Sequence, residues 1–338
     1  MSTTQRQIDR ASHTPAELRL RYYSAQNVPL FLSIGILVAL VMIYLILFAL
    51  TQNRLPGGFE LSTTFNTTAY VGTAAVGQTF VVLTGGIDLS VGGIVDLTNS
   101  FAAQAMRDNP GSMVGIALLT LLIGAGAGLI NGLLVTYGRL QPIIVTIATL
   151  AIWQGVALLI LPQPGGAIPP TFSNLLAGTI GPLPSSLILC VLLLLLWQGL
   201  RRTRFVVTLY AIGNDARAAQ ANGAPVRLAK VGAYTVAGLF SGAAGLYLAA
   251  ASTAGDATSG SPLTLTSIAA VVLGGVSLFG GRGSAAGSLV GACILTLLLN
   301  VLFFAGINPQ LQEFFQGLFL ILAVIASTLV RRLLQSER

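Results

Sequence analysis

Apolar runs close to twenty residues long recur along the whole chain, and this repetition constrains its fold more than any other feature. A helical run of that length matches the hydrocarbon core of a bilayer. The sequence therefore predicts an all-α, polytopic membrane protein with about ten transmembrane helices. The predicted spans lie at about 28–50, 63–84, 88–106, 112–136, 140–161, 184–200, 228–251, 265–280, 284–304 and 312–330.

The composition agrees with a membrane domain. Of the 338 residues, 54% are hydrophobic and only 8% are charged, whereas in soluble chains roughly a quarter of all residues are charged. The run at 28–50 exceeds the roughly 7–15 residues of a cleavable signal core, so we expect it to be retained as the first span. We assign residues 1–27 to a cytoplasmic N-terminal tail, 28–330 to one transmembrane domain and 331–338 to a cytoplasmic C-terminal tail.

The placement of Lys and Arg predicts the orientation. If ten spans alternate, the second side of the membrane holds only Arg54 and Arg107. The first side holds the other fifteen: Arg6, Arg10, Arg19, Arg21, Arg139, Arg201, Arg202, Arg204, Arg217, Arg227, Lys230, Arg282, Arg331, Arg332 and Arg338. Positive loops stay in the cytoplasm, so both termini are predicted to be cytoplasmic. The same bias accounts for the net charge of +7 without a nucleic-acid partner.

Two patterns of small residues point to a tightly packed bundle. Glycines four residues apart allow helix backbones to approach closely in lipid. They occur in the fourth, seventh and ninth spans, at Gly124, Gly128, Gly132, Gly238, Gly242, Gly287 and Gly291. In addition, the segments 81–89 and 271–278 resemble each other and carry a Gly-Gly break, as in membrane proteins built from repeats. Chance similarity of strings rich in Val, Leu and Gly is the alternative.

The longest predicted cytoplasmic loop, residues 201–229, contains the signals of a short helix. Asn214 or Asp215 can cap its start, an Ala-rich centre follows, and Gly223 with Pro225 ends it. A helix of about two turns is too short to be stable alone. Its own neighbours or a partner protein must therefore hold it.

The sequence carries no sign of catalysis. It has no G-x-x-x-x-G-K-[ST] phosphate loop, and its one lysine is Lys230. The single histidine, His13, lies in the polar tail, and Cys190 and Cys293 fall inside apolar runs without metal-ligand spacing. We therefore expect no enzyme activity, no cofactor, no metal site and no catalytic residue in this chain.

Few ionisable residues fall within the predicted spans. They are Asp88, Asp96 and Glu313, of which Glu313 is expected at the interface. So few titratable groups argue against a proton- or sodium-coupled carrier, and the energy for uphill transport would then come from another subunit. Asp88 follows the Gly-Gly break, where it either caps the next helix or contacts a solute. Asp96, eight residues further on, is a second candidate for a polar cavity.

Four stretches of the chain resemble the permease subunits of ribose-type bacterial ABC sugar importers. They occur in the order found in that family and cover about residues 60–330. The stretches are Thr-Gly-Gly-Ile-Asp-Leu-Ser-Val-Gly-Gly at 84–93, Asn-Gly at 131–132 with Gln-Pro-Ile-Ile-Val-Thr-Ile-Ala-Thr at 141–149, Tyr-Ala-Ile-Gly-Asn-Asp-Ala-Arg-Ala-Ala at 210–219, and Ile-Ala-Ala-Val-Val-Leu-Gly-Gly at 268–275.

The resemblance implies a type II-like permease bundle of the bacterial inner membrane. Such a permease pairs with a second copy or a paralogous permease, receives a sugar from an extracytoplasmic binding protein, and engages cytoplasmic ABC ATPase subunits. Residues resembling the coupling segment that docks on the ATPase are Asn214, Asp215, Ala216, Arg217, Ala218, Ala219, Gln220 and Gly223. Polar or aromatic residues expected along the solute pathway are Gln78, Asp88, Ser90, Asn99, Trp153, Gln154 and Asn300.

The chain departs from the family pattern at two places. Thr264-Leu-Thr-Ser-Ile-Ala269 stands where relatives commonly have Glu-Leu-Asp-Ala-Ile-Ala, and Gln154 precedes Gly155 where many have Arg. Both changes remove charge, which fits a non-standard sugar or a paired, asymmetric permease. A monosaccharide or related polyol is the expected solute; a branched-chain amino-acid or nucleoside ABC permease is the alternative, followed by an ion-coupled carrier, a channel or a membrane scaffold.

Overall fold

The computed structural model describes residues 15–181, 183–308, 311–312, 314–319, 321–322 and 325, with side chains from residue 30 onward. Glu313, His13, most of both predicted tails and part of the tenth predicted span lie outside these residues. The described residues form these named elements: α1 Pro15–Gln52, α2 Gly58–Leu83, α3 Val91–Ala105, α4 Pro110–Thr136, α5 Pro142–Ile160, α6 Pro170–Ala177, β1 Thr179–Ile180, β2 Leu183–Pro184, α7 Ser185–Leu200, α8 Arg204–Asn214, α9 Ala216–Ala221, α10 Val226–Ser252, α11 Leu263–Leu273 and α12 Ala285–Phe304.

The chain is an all-α protein apart from the small antiparallel hairpin β1–β2. Within the described residues, five helices are long and apolar enough to cross a membrane: α1 from Leu30, α4, α5, α10 and α12. A sixth is formed if α7 and α8, which are bent by 78° at a short break, count as one span. Of the tenth predicted span, every described residue from 314 to 325 is helical.

Most predicted spans coincide with one helix, but the structure differs from the sequence prediction in three places. α11 ends at Leu273, seven residues before the predicted end at 280, because Gly274 and Gly275 terminate it. The loop predicted over 201–229 contains the regular helix α8, which buries Val206, Leu209 and Ile212. The helix α6 and the hairpin between the fifth and sixth spans were not predicted.

The short helix α3 lies at the centre of the bundle. It packs against α4, α5, α10 and α11, and twelve of its fifteen residues are buried. At 15 residues it measures about 22 Å, less than the roughly 30 Å of a hydrocarbon core. Irregular backbone is tolerated at that depth only when protein surrounds it, and the neighbouring helices provide this surrounding.

The glycine pattern of the fourth and seventh spans produces a close helix contact. A Cβ atom built on Gly128 would lie 2.2 Å from the Tyr234 carbonyl oxygen and 2.9 Å from Gly238 Cα. Gly124 is similarly close to Gly238 and Gly242. The backbones of α4 and α10 therefore touch along this stripe, as the spacing predicts.

The two similar Gly-Gly segments adopt the same helix end. At the end of α2, Gly86 N–H donates to Val81 O (3.3 Å) and Gly85 N–H to Val82 O (2.9 Å). At the end of α11, the corresponding bonds run from residues 276 to 271 (3.1 Å) and from 275 to 272 (2.9 Å). Both are Schellman motifs with a left-handed glycine, at φ +78° and +82°. The shared geometry favours an internal repeat over chance similarity.

Candidate functional site

The short helix α9 is held by one carboxylate. Asp215 Oδ1 accepts the N–H groups of Ala218 (3.0 Å) and Arg217 (2.8 Å). Accepting these two bonds lowers the pKa of the Asp215 carboxyl below its usual value. The helix has only six residues and is followed by Gly223 at φ +83°. Of the two predicted capping residues, Asp215 is therefore the one that caps α9.

Asn214 connects α9 to a distant part of the chain instead of capping it. Its side-chain Nδ2 donates to Tyr210 O (2.8 Å) and to Gly281 O (3.3 Å). Tyr210 Oη donates to Gly283 O from the preceding turn of α8. These bonds fix the end of α8, and therefore the start of α9, to the connection between α11 and α12.

A three-way backbone junction lies directly beneath Asn214. A Cβ on Gly213 would lie 2.1 Å from Leu83 O and 2.2 Å from Gly281 N. Gly281 N–H itself donates to Leu83 O (3.0 Å). The end of α2, the α11–α12 connection and the α8–α9 turn thus meet at glycines, because no side chain fits between them. The helix α9 is therefore attached at one point to the end of α2 and to the α11–α12 connection.

The exposure of the predicted coupling residues suits a docking surface. Asn214, Asp215, Arg217, Ala218, Gln220 and Gly223 are exposed and Ala216 is half-buried. Only Ala219 is buried, and it joins the main apolar core. The helix therefore packs on the bundle through the methyl groups of Ala219 and Ala216 and leaves most of its remaining surface exposed.

Asp88 and Ser90 form a buried polar cluster between α2 and α3. Asp88 Oδ1 accepts the N–H (2.9 Å) and Oγ–H (2.6 Å) of Ser90, whose Oγ accepts from Asn131 Nδ2 (2.7 Å). The Asp88 carboxylate thus closes a turn before α3, since Ser90 is the residue preceding its first helical residue. Asp88 Oδ2 and Asn131 Oδ1 are buried without a hydrogen-bond partner among the described residues.

Asp96 ties α3 to the segment that follows α10. Its two carboxylate oxygens accept Gly260 N–H (2.6 Å) and Ser261 Oγ–H (2.9 Å). Gln154 Nε2, from α5, donates to the same Ser261 hydroxyl (2.9 Å). Thr264 Oγ1 in turn accepts Gly92 N–H (3.2 Å) in the first turn of α3. Two predicted residues, Asp96 and Gln154, are therefore joined through Ser261.

Asn99 fixes the same segment one turn further along α3. Its Oδ1 accepts Asp256 N–H (2.7 Å) and its Nδ2 donates to Gly245 O (3.5 Å). Gly255 additionally pairs with Gly165 in an antiparallel bridge. The segment 253–262 is thus held between α3, α5 and the 162–169 loop.

The remaining predicted pathway residues lie apart from these groups. Gln78 is fully buried in α2, and neither atom of its amide has a partner among the described residues; the same holds for Trp153 Nε1. Asn300 Nδ2 donates to Thr64 Oγ1 (2.9 Å) and is half-buried. The seven predicted residues are therefore distributed over α2, α3, α5 and α12 and the turn before α3, and among them only Asp88 and Ser90 are hydrogen-bonded directly to each other.

Sequence reasoning missed three participants in this polar interior: Asn131, Ser261 and Thr264. Asn131 lies in one of the stretches that resemble the permease family, and Thr264 lies where the chain departs from the family pattern, so the sequence contained a reason to single out both. It contained no reason to single out Ser261, since a serine in a Gly- and Ser-rich connection fits no periodic pattern. Among the described residues no group of three His, Cys, Asp or Glu is placed to hold a metal ion. The arrangement offers amide and hydroxyl groups together with the carboxyl groups of Asp88 and Asp96 in a buried setting.

Comparisons with known proteins agree over most of the chain. Residues 60–324 match the family described as branched-chain amino acid transport system / permease component. The probable ABC transporter permease protein y4mJ of Sinorhizobium fredii is 34% identical, with 98% of both chains covered. The ribose import permease protein RbsC of Escherichia coli K12 is 34% identical over 83% of this chain and 90% of its own. The autoinducer 2 import system permease protein LsrD of Photorhabdus laumondii is 29% identical over 87% and 90%.

No solved structure matches the chain significantly. The family match covers the whole interior described above, from the start of α2 to beyond α12, including the α9 junction. Together with the apolar helices it defines a multi-pass membrane protein. The chain belongs to the family of permease components of the branched-chain amino acid transport system type.

Proposed function

We propose that the chain is the permease subunit of an ATP-driven ABC importer in the bacterial inner membrane. It takes a monosaccharide or related polyol from an extracytoplasmic binding protein and releases it into the cytoplasm. The bundle is type II-like, with ten spans and both termini in the cytoplasm, and it pairs with a second copy or a paralogous permease. The relatives named ABC transporter permease and ribose import permease support this assignment.

The observation that carries the proposal is the attachment of α9. An exposed six-residue helix is fixed by Asn214 and Gly213 to the end of α2 and to the α11–α12 connection. The sequence has no phosphate-binding loop of its own, so ATP hydrolysis falls to a separate subunit. That subunit docks on α9 from the cytoplasm.

The junction explains how docking acts on the bundle. Closure of the ATPase pair displaces α9, and Gly213 transmits the displacement to Leu83 and Gly281 at once. Both repeats are then driven together, which rocks the bundle between its outward-open and inward-open states. During this rocking, the hydrogen bonds of Asp96 and Asn99 to segment 253–262 either break or move together with the segment.

The interior favours an uncharged solute. The fully buried polar side chains of the described residues are Ser, Thr, Asn, Gln and Asp, with no Lys or Arg among them. An amino-acid carboxylate at that depth would need a cationic or strongly donating partner, whereas hydroxyl groups can pair with neutral amides and hydroxyls. This observation favours a polyol over the branched-chain amino acid named in the family description.

The test is uptake of radiolabelled ribose into proteoliposomes. We expect accumulation only when the ATPase subunit, the binding protein and ATP are all present. A control without ATP and a control with a proton or sodium gradient instead separate the importer from a carrier. Accumulation by the chain alone under either gradient would overturn the proposal.

The role of α9 is tested by reversing one charge. Arg217 is exposed on α9, and its side chain does not form the cap, so Arg217→Glu leaves the helix intact. We expect ATP-driven uptake to fall roughly tenfold because the docking surface now repels its partner. Arg202→Glu makes the same charge change in the exposed turn between α7 and α8 and should keep most of the uptake. Equal uptake by the two variants would remove the case for docking at α9.

A further inference from the structure

The connection between α11 and α12 contains a tight turn of residues 277–282, here called the Phe279 turn. Ser277 N–H donates to Arg282 O (3.1 Å), and Gly280 N–H donates to Ser277 O (3.0 Å). Gly280 and Gly281 have φ angles of +84° and +70°, which fix the reversal. Phe279 therefore lies at the tip of a closed, hydrogen-bonded turn.

Phe279 is the most exposed large apolar side chain among the described residues, at 93%. The other strongly exposed apolar residues lie mainly on long helices such as α1, α4 and α5, where lipid covers them. Phe279 is instead in a turn with an exposed arginine, Arg282, three residues on. An aromatic side chain offers about 150–250 Å² of surface for burial, so its exposure calls for a partner.

The position of the turn indicates what that partner is. Gly281 O accepts from Asn214, and a Cβ on Gly280 would lie 2.9 Å from Gly213 Cα. Both contacts are with the two residues that precede Asp215, the cap of α9. The Phe279 turn is therefore on the same face of the molecule as α9 and is rigidly connected to it.

The size of α9 supplies a second reason. A stable protein–protein interface covers about 800 Å² and 20–30 residues on each partner. The helix α9 has six residues, and one of them, Ala219, is buried in the bundle. It cannot form such an interface alone, so neighbouring surface has to contribute. The Phe279 turn is directly beside α9 and presents both an apolar group and a positive charge.

We propose that the Phe279 turn is a second docking element for the ATPase subunit. Phe279 is its apolar anchor, and Arg282 with Arg217 forms a positive rim that fits acidic groups on the partner. This inference rests on the proposed function, because it takes the ATPase as the occupant of the α9 face. Movement of the ATPase then acts on the α11–α12 connection directly as well as through α9.

The first test measures binding of the transporter's ATPase subunit, purified by itself, to the permease in nanodiscs. We expect Phe279→Ala to weaken binding roughly tenfold, since aromatic anchors dominate interface energies. Phe59→Ala is the matched control, because Phe59 is 80% exposed at the opposite end of α2. Size-exclusion profiles and thermal midpoints of both variants establish that they are folded. Unchanged binding by Phe279→Ala would overturn the inference.

The comparison with α9 separates this inference from the proposed function. If Arg217→Glu weakens binding and Phe279→Ala does not, the second docking element is wrong and the proposed function stands. If neither variant weakens binding, docking at this face fails altogether and both are rejected.

A second measurement excludes other occupants of the turn. In a background where Cys190 and Cys293 are replaced by Ala, a Phe279→Cys variant should react with a water-soluble maleimide and be protected when the ATPase subunit binds. A thiol that does not react without the ATPase would place the turn in lipid or against a second permease copy, and would contradict the proposal. Reaction that the ATPase does not slow would contradict it as well.

Discussion

At the scale of single residues, the buried carboxylate of Asp96 connects α3 to a distant part of the chain. It accepts two hydrogen bonds, from Gly260 N–H and Ser261 Oγ–H, and Asn99 binds the same 253–262 segment one turn further along α3. Its partners come from a connection 164 and 165 positions away in sequence. The carboxylate therefore replaces the secondary-structure bonds that this irregular backbone lacks.

Replacing Asp96 by Ala should destabilise the protein measurably. The Gly260 N–H would be left buried without an acceptor, which costs about 1–3 kcal/mol. We expect the thermal midpoint of the purified protein to fall by several degrees, whereas Asp96→Asn, which keeps one acceptor oxygen, should lose less. Asp256→Ala removes a carboxylate that bonds only the exposed Thr258 of the same segment. An equal loss in the Asp256 control would contradict this assignment.

The same residues mark the limit of what the sequence predicts at this scale. Asp88 and Asp96 could be identified because ionisable groups are rare in apolar runs. The partners of Asp96 could not, because Ser261 and Gly260 lie in a connection without periodicity. For Asp88 the sequence allows either a helix cap or a solute contact, and the structure shows that it closes the turn before α3 through Ser90.

At the scale of helices, the contact between α4 and α10 depends on glycines that face one way. Gly128 touches the Tyr234 carbonyl oxygen and Gly238, whereas Gly126, two residues earlier on the same helix, has nothing within 4 Å. A helix glycine is favourable only where its missing side chain allows a backbone contact, since Gly otherwise costs about 1 kcal/mol relative to Ala. A methyl group added at position 128 is therefore expected to lower the stability of the protein, whereas one added at position 126 is not.

The prediction compares Gly128→Ala with Gly126→Ala. The first forces the backbones of α4 and α10 apart, which typically costs 1–3 kcal/mol for an overpacked contact. The second fills open space and should leave the thermal midpoint unchanged or slightly higher. Thermal unfolding of both variants in the same detergent tests this. A loss of stability from Gly126→Ala as large as that from Gly128→Ala would contradict the prediction, because the loss would then not depend on the close contact that Gly128 makes with α10.

Element prediction succeeds where length and spacing carry the information and fails where glycines end a helix early. The four-residue glycine spacing predicts close backbone contacts for these helices, but not which helices meet, and the Ala-rich stretch after Asp215 predicts α9. Hydropathy alone predicts one span over 265–280, because it does not register the left-handed Gly275 that ends α11. Hydropathy also misses the amphipathic helix α8, because it lies in an arginine-rich segment that is predicted to be a loop.

At the scale of the whole molecule, two short helices make the membrane topology the least obvious feature. α3 and α11 have 15 and 11 residues, about 22 and 16 Å, and neither spans a bilayer core of roughly 30 Å by itself. The irregular segment 84–90 precedes α3, and the irregular segment 253–262 precedes α11. If each short helix crosses the membrane, as the ten predicted spans require, irregular backbone shielded by the surrounding protein has to complete the crossing.

Thiol labelling of intact cells tests whether both short helices complete a crossing. In a background without Cys190 and Cys293, Arg54→Cys and Asp108→Cys should react with an impermeant maleimide from outside. Arg139→Cys and Arg282→Cys should react only after the cells are permeabilised, because the positive-inside rule places these loops in the cytoplasm. Positions 54 and 108 are separated by α2 and α3, so they share a side only if both helices cross or neither does. Position 282 distinguishes these cases, because the neighbouring Gly281 N–H donates to Leu83 O at the end of α2. Labelling of 54 and 108 from opposite sides would mean that only one of the two helices crosses, which would contradict the predicted ten spans.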